Sequence, residues 1–500
     1  MKSSPFGNAF YLLLFFCTAF FAGFKEKKIP GGFQLTQGAA ETNNGKAPPK
    51  YNVLFIAVDD LRPELNCYGS THIKSPNIDK LAAGGLIFNR AYCQQAVCSP
   101  SRTSLLTGMR PDATRIYDLQ THFRNTIPDV VTLPQHFKNN GYYSVGMGKL
   151  FHGNLQDERS WSEPWWQPKT KSGLGYMKEE NILLDKGAKG RGPAFEEADM
   201  PDSAYKDGKI ADRAIQTLQR IKDKPFFLGV GFSKPHLPFV APKKYWDMYD
   251  PVKIKLPDTS KPVNVPSIAL SNWGELRAYK DIPSKGPLSP EQSRQLRHGY
   301  YACVSHMDAQ VGKVLDELKR LGLDKNTIVI LWGDHGWKLG DYGDWCKHTN
   351  FELDANAALI LRAPEMKSKG RKTDALVEFV DIYPSLCELA GIPLPTHLQG
   401  SSFMPLLNNP SEKGKSVALT QYPRGGGMMG YSMRTDRYRF TSWQKKDDWQ
   451  QTTALELYDH QKDPGEKINL ANQPEYAKLV GELSSQLKKE WQHSLQGKQL

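Results

Sequence analysis

The chain has 500 residues, of which 39% are hydrophobic, with 11 Trp, 21 Tyr and 22 Phe. That content supplies a large buried core and excludes a disordered chain; the length fits one large α/β domain plus a smaller one, or two to three ordinary domains. The 65 basic and 53 acidic residues leave a net charge of +12, which suits an anionic partner or plain solubility; the absence of a long basic run or a nucleic-acid motif argues against DNA or RNA.

Residues 1–24 read as a signal peptide. Lys2 precedes an apolar run from Ala9 to Phe24, which Lys25 ends. The run is short for a membrane span and suits a signal-peptide core, with Ala22 and Gly23 as a cleavage zone. An uncleaved anchor is the alternative. Cys17 follows Phe15-Phe16 and lacks the small residue that precedes a lipidated cysteine. Residues 25–49 read as a flexible linker. The expected protein is exported, to a periplasmic, extracellular or other secretory-pathway compartment, with no stable membrane span after signal cleavage.

Four apolar runs then read as buried parallel strands, each followed by a polar cluster. Val53 to Val58 leads to Asp59-Asp60, and Tyr142 to Met147 leads to Lys149 and His152. Phe226 to Val230 leads to Lys234-Pro235-His236, and Thr327 to Leu331 leads to Asp334-His335. Helical patterns at Asn77 to Ala83, Ala211 to Ile221 and Arg294 to Leu321 alternate with the strands, the last ending at Gly322. The expected fold is α/β: a doubly wound, mainly parallel sheet flanked by helices. In such sheets ligands bind beyond the carboxyl ends of the strands, where all four polar clusters lie.

Two stretches, Trp161 to Asp207 and Pro257 to Pro290, lack periodicity and read as irregular insertions. Trp161, Trp165 and Trp166 either pack that loop on the core or stack on a sugar ring. The pattern shifts near Asn408-Asn409-Pro410. Strand-like alternation at Tyr431 to Trp443 and Leu455 to Asp459, then a helix at Glu475 to Gln492, predict a smaller α+β C-terminal domain. The expected organisation is a larger α/β domain at 50–408 and a C-terminal subdomain at 409–500. Outside Cys17 and Cys98, five cysteines at irregular spacing leave room for one disulfide and imply no framework. Cys93 and Cys98 have no second pair to complete a zinc site.

The most specific segment is Cys98-Ser99-Pro100-Ser101-Arg102, followed by Thr107-Gly108. Ser99 suits an N-cap and Pro100 the first helical position, which places Cys98 just outside a helix N-terminus, where N–H groups and the dipole favour an anion. A buried cysteine before a capped helix is the bland alternative.

This pentapeptide resembles the signature of the type I, formylglycine-dependent sulfatases. The likeness extends through Asn52 to Asp60, Ser75 to Ala82, Phe88 to Gly108, Asp334-His335-Gly336, Leu457-Tyr458-Asp459 and Asp463-Pro464-Gly465-Glu466. Within the family it is most like the iduronate-2-sulfatase branch, on Asp59 to Pro63, Gln94 to Cys98, Gly108 to Asp112, Gly148 to His152, Lys234 to His236, Gly333 to Trp337, Gly343 to Lys347 and Gln421 to Arg424. The resemblance implies an alkaline-phosphatase-like fold, sulfuric ester hydrolysis of a sulfated sugar with 2-O-sulfated uronate as the candidate, and formylglycine derived from Cys98 by a maturation enzyme.

It also implies a bound Ca2+ held by Asp59, Asp60, Asp334, His335 and the formylglycine oxygen at position 98. Many family members carry Asn where His335 stands. Nitrogen is softer than calcium prefers, which leaves both a direct and an outer position open to His335. By the same resemblance Arg102 and Lys149 bear on the nucleophile and the sulfate, His236 and Lys347 contact sulfate and protonate the leaving alcohol, and His152 takes the proton that lets sulfate leave. The rival readings are a phosphonate or phosphate monoester hydrolase of the same superfamily, and a non-catalytic homologue that binds sulfated glycans.

Overall fold

The computed structural model describes residues 51–186 and 191–496. The expected signal peptide and the linker before residue 50 lie outside the described residues. Among those described, no helix is long and apolar enough to cross a membrane.

The centre is a seven-stranded sheet. Its strands in chain order are β1 (Asn52–Val58), β2 (Leu86–Phe88), β3 (Tyr143–Gly148), β4 (Phe226–Phe232), β5 (Thr327–Gly333), β6 (Leu359–Arg362) and β7 (Arg371–Thr373). Their spatial order is β7-β2-β6-β5-β1-β4-β3. The four strands expected from sequence are the contiguous block β5-β1-β4-β3, all parallel, with Ile56 opposite Leu331 on one side and Val230 on the other. The sheet departs from uniform parallel pairing at β6, which is antiparallel to both β5 and β2.

Every residue of β1, β4 and β5 is buried. Along β1, Leu54, Ile56 and Val58 enter one apolar cluster, and Val53, Phe55 and Ala57 enter another on the opposite face. Two covered faces explain why these strands read as continuous apolar runs instead of alternating ones.

The flanking helices are α1 (Pro76–Ala83), α2 (Cys98–Thr107), α3 (Leu133–Asn139), α4 (Lys206–Ile221), α5 (Pro290–Arg320) and α6 (Ile382–Ala390). α5 is a single helix, started by a Ser289/Gln292 capping box with Pro290 in the first turn. Among the described residues the irregular insertions contain short elements, such as the helix Glu179–Lys186, Phe195–Ala198 paired with Phe239–Pro242, and the turn of helix Gly274–Arg277.

A separate antiparallel sheet of four consecutive strands, β8 (Ala418–Arg424), β9 (Met428–Arg434), β10 (Tyr438–Lys445) and β11 (Thr452–Asp459), forms a small C-terminal domain with helix α7 (Ala477–Leu495). Leu483, Leu487 and Trp491 of α7 bury against Met429, Tyr431 and Met433 of β9. Buried polar contacts fasten this domain to the first: Gln421 Nε2 and Trp491 Nε1 donate to the two oxygens of Asp112 at 2.9 and 3.0 Å. All six described cysteines are free thiols.

Candidate active site

Four strand ends deliver the polar side chains. After β1 the backbone turns at Asp60 with φ of 56°, a left-handed conformation uncommon outside glycine. Tyr300 of α5 pins this turn: its hydroxyl donates to the Asp60 carbonyl oxygen at 2.8 Å and accepts from the Arg62 N–H at 3.1 Å. β3 ends at Gly148, with φ of 69°, where a Cβ would lie 2.0 Å from the Gly231 carbonyl oxygen. Only glycine lets the chain pass β4 so closely and turn Lys149 inward. β4 leads to His236, and β5 to Asp334-His335.

The start of α2 differs from the sequence expectation. Cys98 is the first helical residue instead of lying outside the helix, and Val97, not Ser99, is the N-cap, in extended conformation and without a side-chain cap. The Val97 carbonyl already accepts from the Ser101 N–H at 3.2 Å, so the first turn closes earlier than a Ser99 cap requires. Ser101 Oγ donates to the Asp334 carbonyl oxygen and ties α2 to the end of β5.

The expected site residues converge. Cys98 Sγ lies 3.4 Å from His335 Nε2 and 3.9 Å from Lys149 Nζ. Ligand atoms of Asp59, Asp60 and Asp334 lie within 4.8 Å of one another, as do those of Asp60, Cys98 and His335. His335 Nδ1 is 2.9 Å from the Gly336 carbonyl oxygen; the proton placed there leaves the Nε2 lone pair facing Asp60 and Asp334, at 3.5 and 3.6 Å. Arg102 donates from Nε to Asp334 at 2.9 Å and from an Nη to Asp59 at 3.1 Å, and Lys149 pairs with Asp59. Lys347 pairs with Asp60 at 3.1 Å. His152 lines the same cavity as Lys149 and His236, and its buried Nδ1 has no hydrogen-bond partner among the described residues.

Burial and charge set the protonation states. Burial opposes ionisation of Asp59, yet Lys149, His236 and Arg102 hold its carboxyl well below the usual range. Burial dominates at Asp60 and raises it, despite Lys347. Lys347 sits well above the usual lysine value, because Asp60 and Glu275 outweigh its own burial. Burial, helped by the Lys149 charge, pulls His152 down to about 3, so it is a neutral proton acceptor at pH 7. Burial also pushes the Cys98 thiol well above its ordinary value, against the charges of Lys149 and Lys347.

One member of the cluster escaped the sequence. Glu275 lies in the aperiodic stretch Pro257 to Pro290, and its carboxylate sits 2.9 Å from Lys347 Nζ and 3.2 Å from His236 Nε2. A lone acid in an irregular loop carries no spacing signal. Tyr422 and Arg424 of β8 face a neighbouring hollow with Glu275 and His348; Arg424 donates to the His348 carbonyl oxygen at 2.9 Å. Of the three tryptophans, Trp161 packs on Gly146 and Gly229 in the core, Trp166 pairs with the backbone of Met147, and Trp165 lines the cavity.

Residues 51–392 match the sulfatase family, and residues 340–493 match the C-terminal region of N-sulphoglucosamine sulphohydrolase. Mouse iduronate 2-sulfatase is 34% identical over 91% of this chain and 96% of its own length. The human protein is 34% identical over 81% and 87%, and a sulfatase of Formosa agariphila is 32% identical over 89% and 87%. Among solved structures, the fold is shared with the phosphonate monoester hydrolase of Agrobacterium radiobacter, at a TM-score of 0.73 and 22% identity over 89% of this chain and 96% of that one. It is shared too with an enzyme determined in complex with its substrate D-glucosamine-2-N,6-O-disulfate, at a TM-score of 0.71 and 21% identity over 89% and 98%. Identity of this extent across both domains, joined to the cluster around Cys98, shows that the chain belongs to the sulfatase family and is a sulfuric ester hydrolase.

Proposed function

We propose that this chain, after a separate maturation enzyme has oxidised Cys98 to formylglycine, hydrolyses a sulfate ester of a sulfated saccharide, with 2-O-sulfated uronate as its candidate substrate. The observation that carries the reading is the setting of Cys98. Its sulfur is buried at the head of α2 beside Lys149 and His335, and burial holds it as a thiol. A protonated thiol is a poor nucleophile, whereas a hydrated aldehyde at the same position offers two hydroxyls to the same cations. The uronate assignment draws on the iduronate 2-sulfatase relatives.

Three buried carboxylates and an inward-facing imidazole nitrogen are a donor set that fits a divalent cation, and the family precedent is Ca2+. Asp59, Asp60 and Asp334 would hold it, with His335 and the oxygen at position 98 completing the set. Bound there, the ion supplies charge neutralisation for the sulfate oxygens.

The chain's own residues protonate the leaving oxygen and deprotonate the covalent intermediate. One hydroxyl of the hydrated aldehyde gives its proton to solvent water and attacks sulfur; an O–S bond forms as the bond from sulfur to the sugar oxygen breaks. Arg102 and Lys149 stabilise the negative charge near position 98. His236 or Lys347 protonates the departing sugar oxygen. His152, neutral at pH 7, takes the proton of the remaining hydroxyl; the C=O bond re-forms, the C–O bond to sulfate breaks, and the aldehyde is restored. A cysteine side chain carries one heteroatom on Cβ and cannot undergo that elimination. The catalytic domain on this reading is residues 50–408, the C-terminal subdomain is 409–500, and the protein acts after export.

The test is sulfate release by the matured chain from defined mono- and disaccharides that differ in sulfate position, beside phosphate and phosphonate esters. Turnover of 2-O-sulfated uronates above the other sugars supports the reading. Preferential turnover of phosphate or phosphonate esters overturns it.

A further inference from the structure

Lys347 reaches the site from a short antiparallel ribbon, Lys338–Leu339 paired with Trp345–Cys346. Its neighbours on both sides take positive φ, 69° at Cys346 and 91° at His348. Neither is glycine, so the backbone is disfavoured on each side of the lysine. Left to its local preference, this segment would relax and carry the Lys347 ammonium away from Asp60 and Glu275, which it meets at 3.1 and 2.9 Å. Groups outside the segment have to hold it.

Arg424 does so at one point, the His348 carbonyl oxygen. The remaining hold comes from Lys338, Thr349 and Asp354, all fully buried. Asp354 Oδ2 accepts from the Thr349 N–H at 2.9 Å and from the Thr349 hydroxyl. Lys338 Nζ donates to the same oxygen at 2.5 Å and to Thr349 Oγ1 at 3.0 Å. Lys338 also faces Cys346 across the ribbon. The ion pair therefore joins the two ends of the segment that carries Lys347: Cys346 through the ribbon, and Thr349 directly. The Asp354 carbonyl oxygen accepts from the Gly336 N–H at 2.8 Å, which fixes the same unit to the Asp334-His335 end of β5.

Lys338 and Asp354 take no part in the hydrolytic cycle, and burial makes them a poor source of stability. Two charges taken out of water lose hydration that their attraction barely repays, and apolar residues of similar volume pack as well. What such a pair supplies is a single arrangement, because an ammonium and a carboxylate sealed from water stay together. Here the arrangement it fixes is the strained one.

We infer that Lys338, Thr349 and Asp354 are positioning residues for Lys347, holding its segment against its own backbone preference so that the ammonium stands where the leaving oxygen needs it. This rests on the sulfatase reading above and adds to it the device that aims one of its proton donors.

Two changes test it. Lys338→Met with Asp354→Leu removes the pair and leaves neither charge buried alone. Thr349→Val removes only the hydroxyl, and Thr349→Ser restores it. The matured enzymes are compared on a sugar sulfate, whose leaving oxygen needs a proton, and on an aryl sulfate, whose leaving group departs without one. On the sugar sulfate, kcat should fall at least about tenfold in the double variant and about threefold in Thr349→Val, with recovery in Thr349→Ser. The aryl sulfate should lose much less. No loss, or equal losses on both esters, overturns the positioning role. Amide hydrogen exchange on the unmatured chain needs no turnover. Residues 345–351 should exchange at least about tenfold faster in the double variant while β5 keeps its protection. Unchanged exchange at 345–351, or equal loosening of β5, overturns the inference. A matured wild-type chain that turns over neither ester overturns the sulfatase reading instead, and the exchange comparison still decides whether the pair holds the Lys347 segment.

Discussion

Glu275 lies 2.9 Å from Lys347 Nζ and 3.2 Å from His236 Nε2, bridging the two groups assigned to the leaving alcohol. Its carboxyl is held well below the usual glutamate range: burial opposes the charge, but Lys347 and His236 outweigh it. Glu275→Gln keeps the shape and removes the charge that orients both donors. The expected effect is a fall in kcat of about 10- to 100-fold on sugar sulfates, where the leaving oxygen needs a proton. The loss should be smaller on an aryl sulfate, whose leaving group departs unprotonated. Steady-state kinetics on the two substrate types checks this; equal losses would place Glu275 in a purely structural role.

Cys98→Ala should lower turnover roughly a thousandfold or more. Cys98 heads α2 without making its helical hydrogen bonds through its side chain, so stability should change by only about 1 kcal/mol. Sulfate release and thermal denaturation on the same preparation separate the two effects.

Gly148→Ala tests the route by which Lys149 enters the site. The added Cβ meets the Gly231 carbonyl oxygen at 2.0 Å, and the left-handed φ adds strain. One strand end must move, so both activity and melting temperature should drop. A variant with normal kinetics and melting would contradict the close approach of β3 and β4.

Acid should unfold the protein through Glu64 and Glu466. Both are held at about 2, against an ordinary value of 4.5: burial opposes each charge, but Arg62 with His72, and Arg439 with His460, prevail. The unfolded chain takes up these protons near pH 4.5 and the folded chain only near pH 2. The stability they contribute is therefore present above pH 4.5 and is lost as pH falls from 4.5 to 2. The melting temperature should fall across that window. Glu466→Gln should flatten the fall and, by leaving Arg439 poorly paired, destabilise the protein at neutral pH by about 3 kcal/mol. Melting curves from pH 2 to pH 7 on both proteins provide the check.

Removal of divalent ions bears on Asp59, Asp60, Asp334 and His335. Chelation followed by dialysis should abolish sulfatase activity and lower the melting temperature, and added Ca2+ should restore both. Full activity in thoroughly chelated protein would contradict the donor set.

Legibility followed periodicity. β1, β3, β4 and β5 are buried on both faces and read as long apolar runs, and the polar residues at their ends mark the site. β2, β6 and β7 are only three or four residues long; such segments give no pattern, and the antiparallel β6 could not be inferred. The pentapeptide marks position 98, but its capping residues mislead by two residues, because the Val97 carbonyl starts the helix with no side chain to announce it. Glu275 reaches the site from an aperiodic loop, and only the tertiary fold brings it to Lys347 and His236.

The account turns on the side chain at position 98. Peptide mass spectrometry across Cys98, on preparations made with and without a formylglycine-generating enzyme and assayed for sulfate release, tests it most directly. Activity should scale with the fraction of aldehyde at position 98 and vanish in the fully thiol form. Full sulfatase activity from a preparation in which every Cys98 is an unmodified thiol would contradict it.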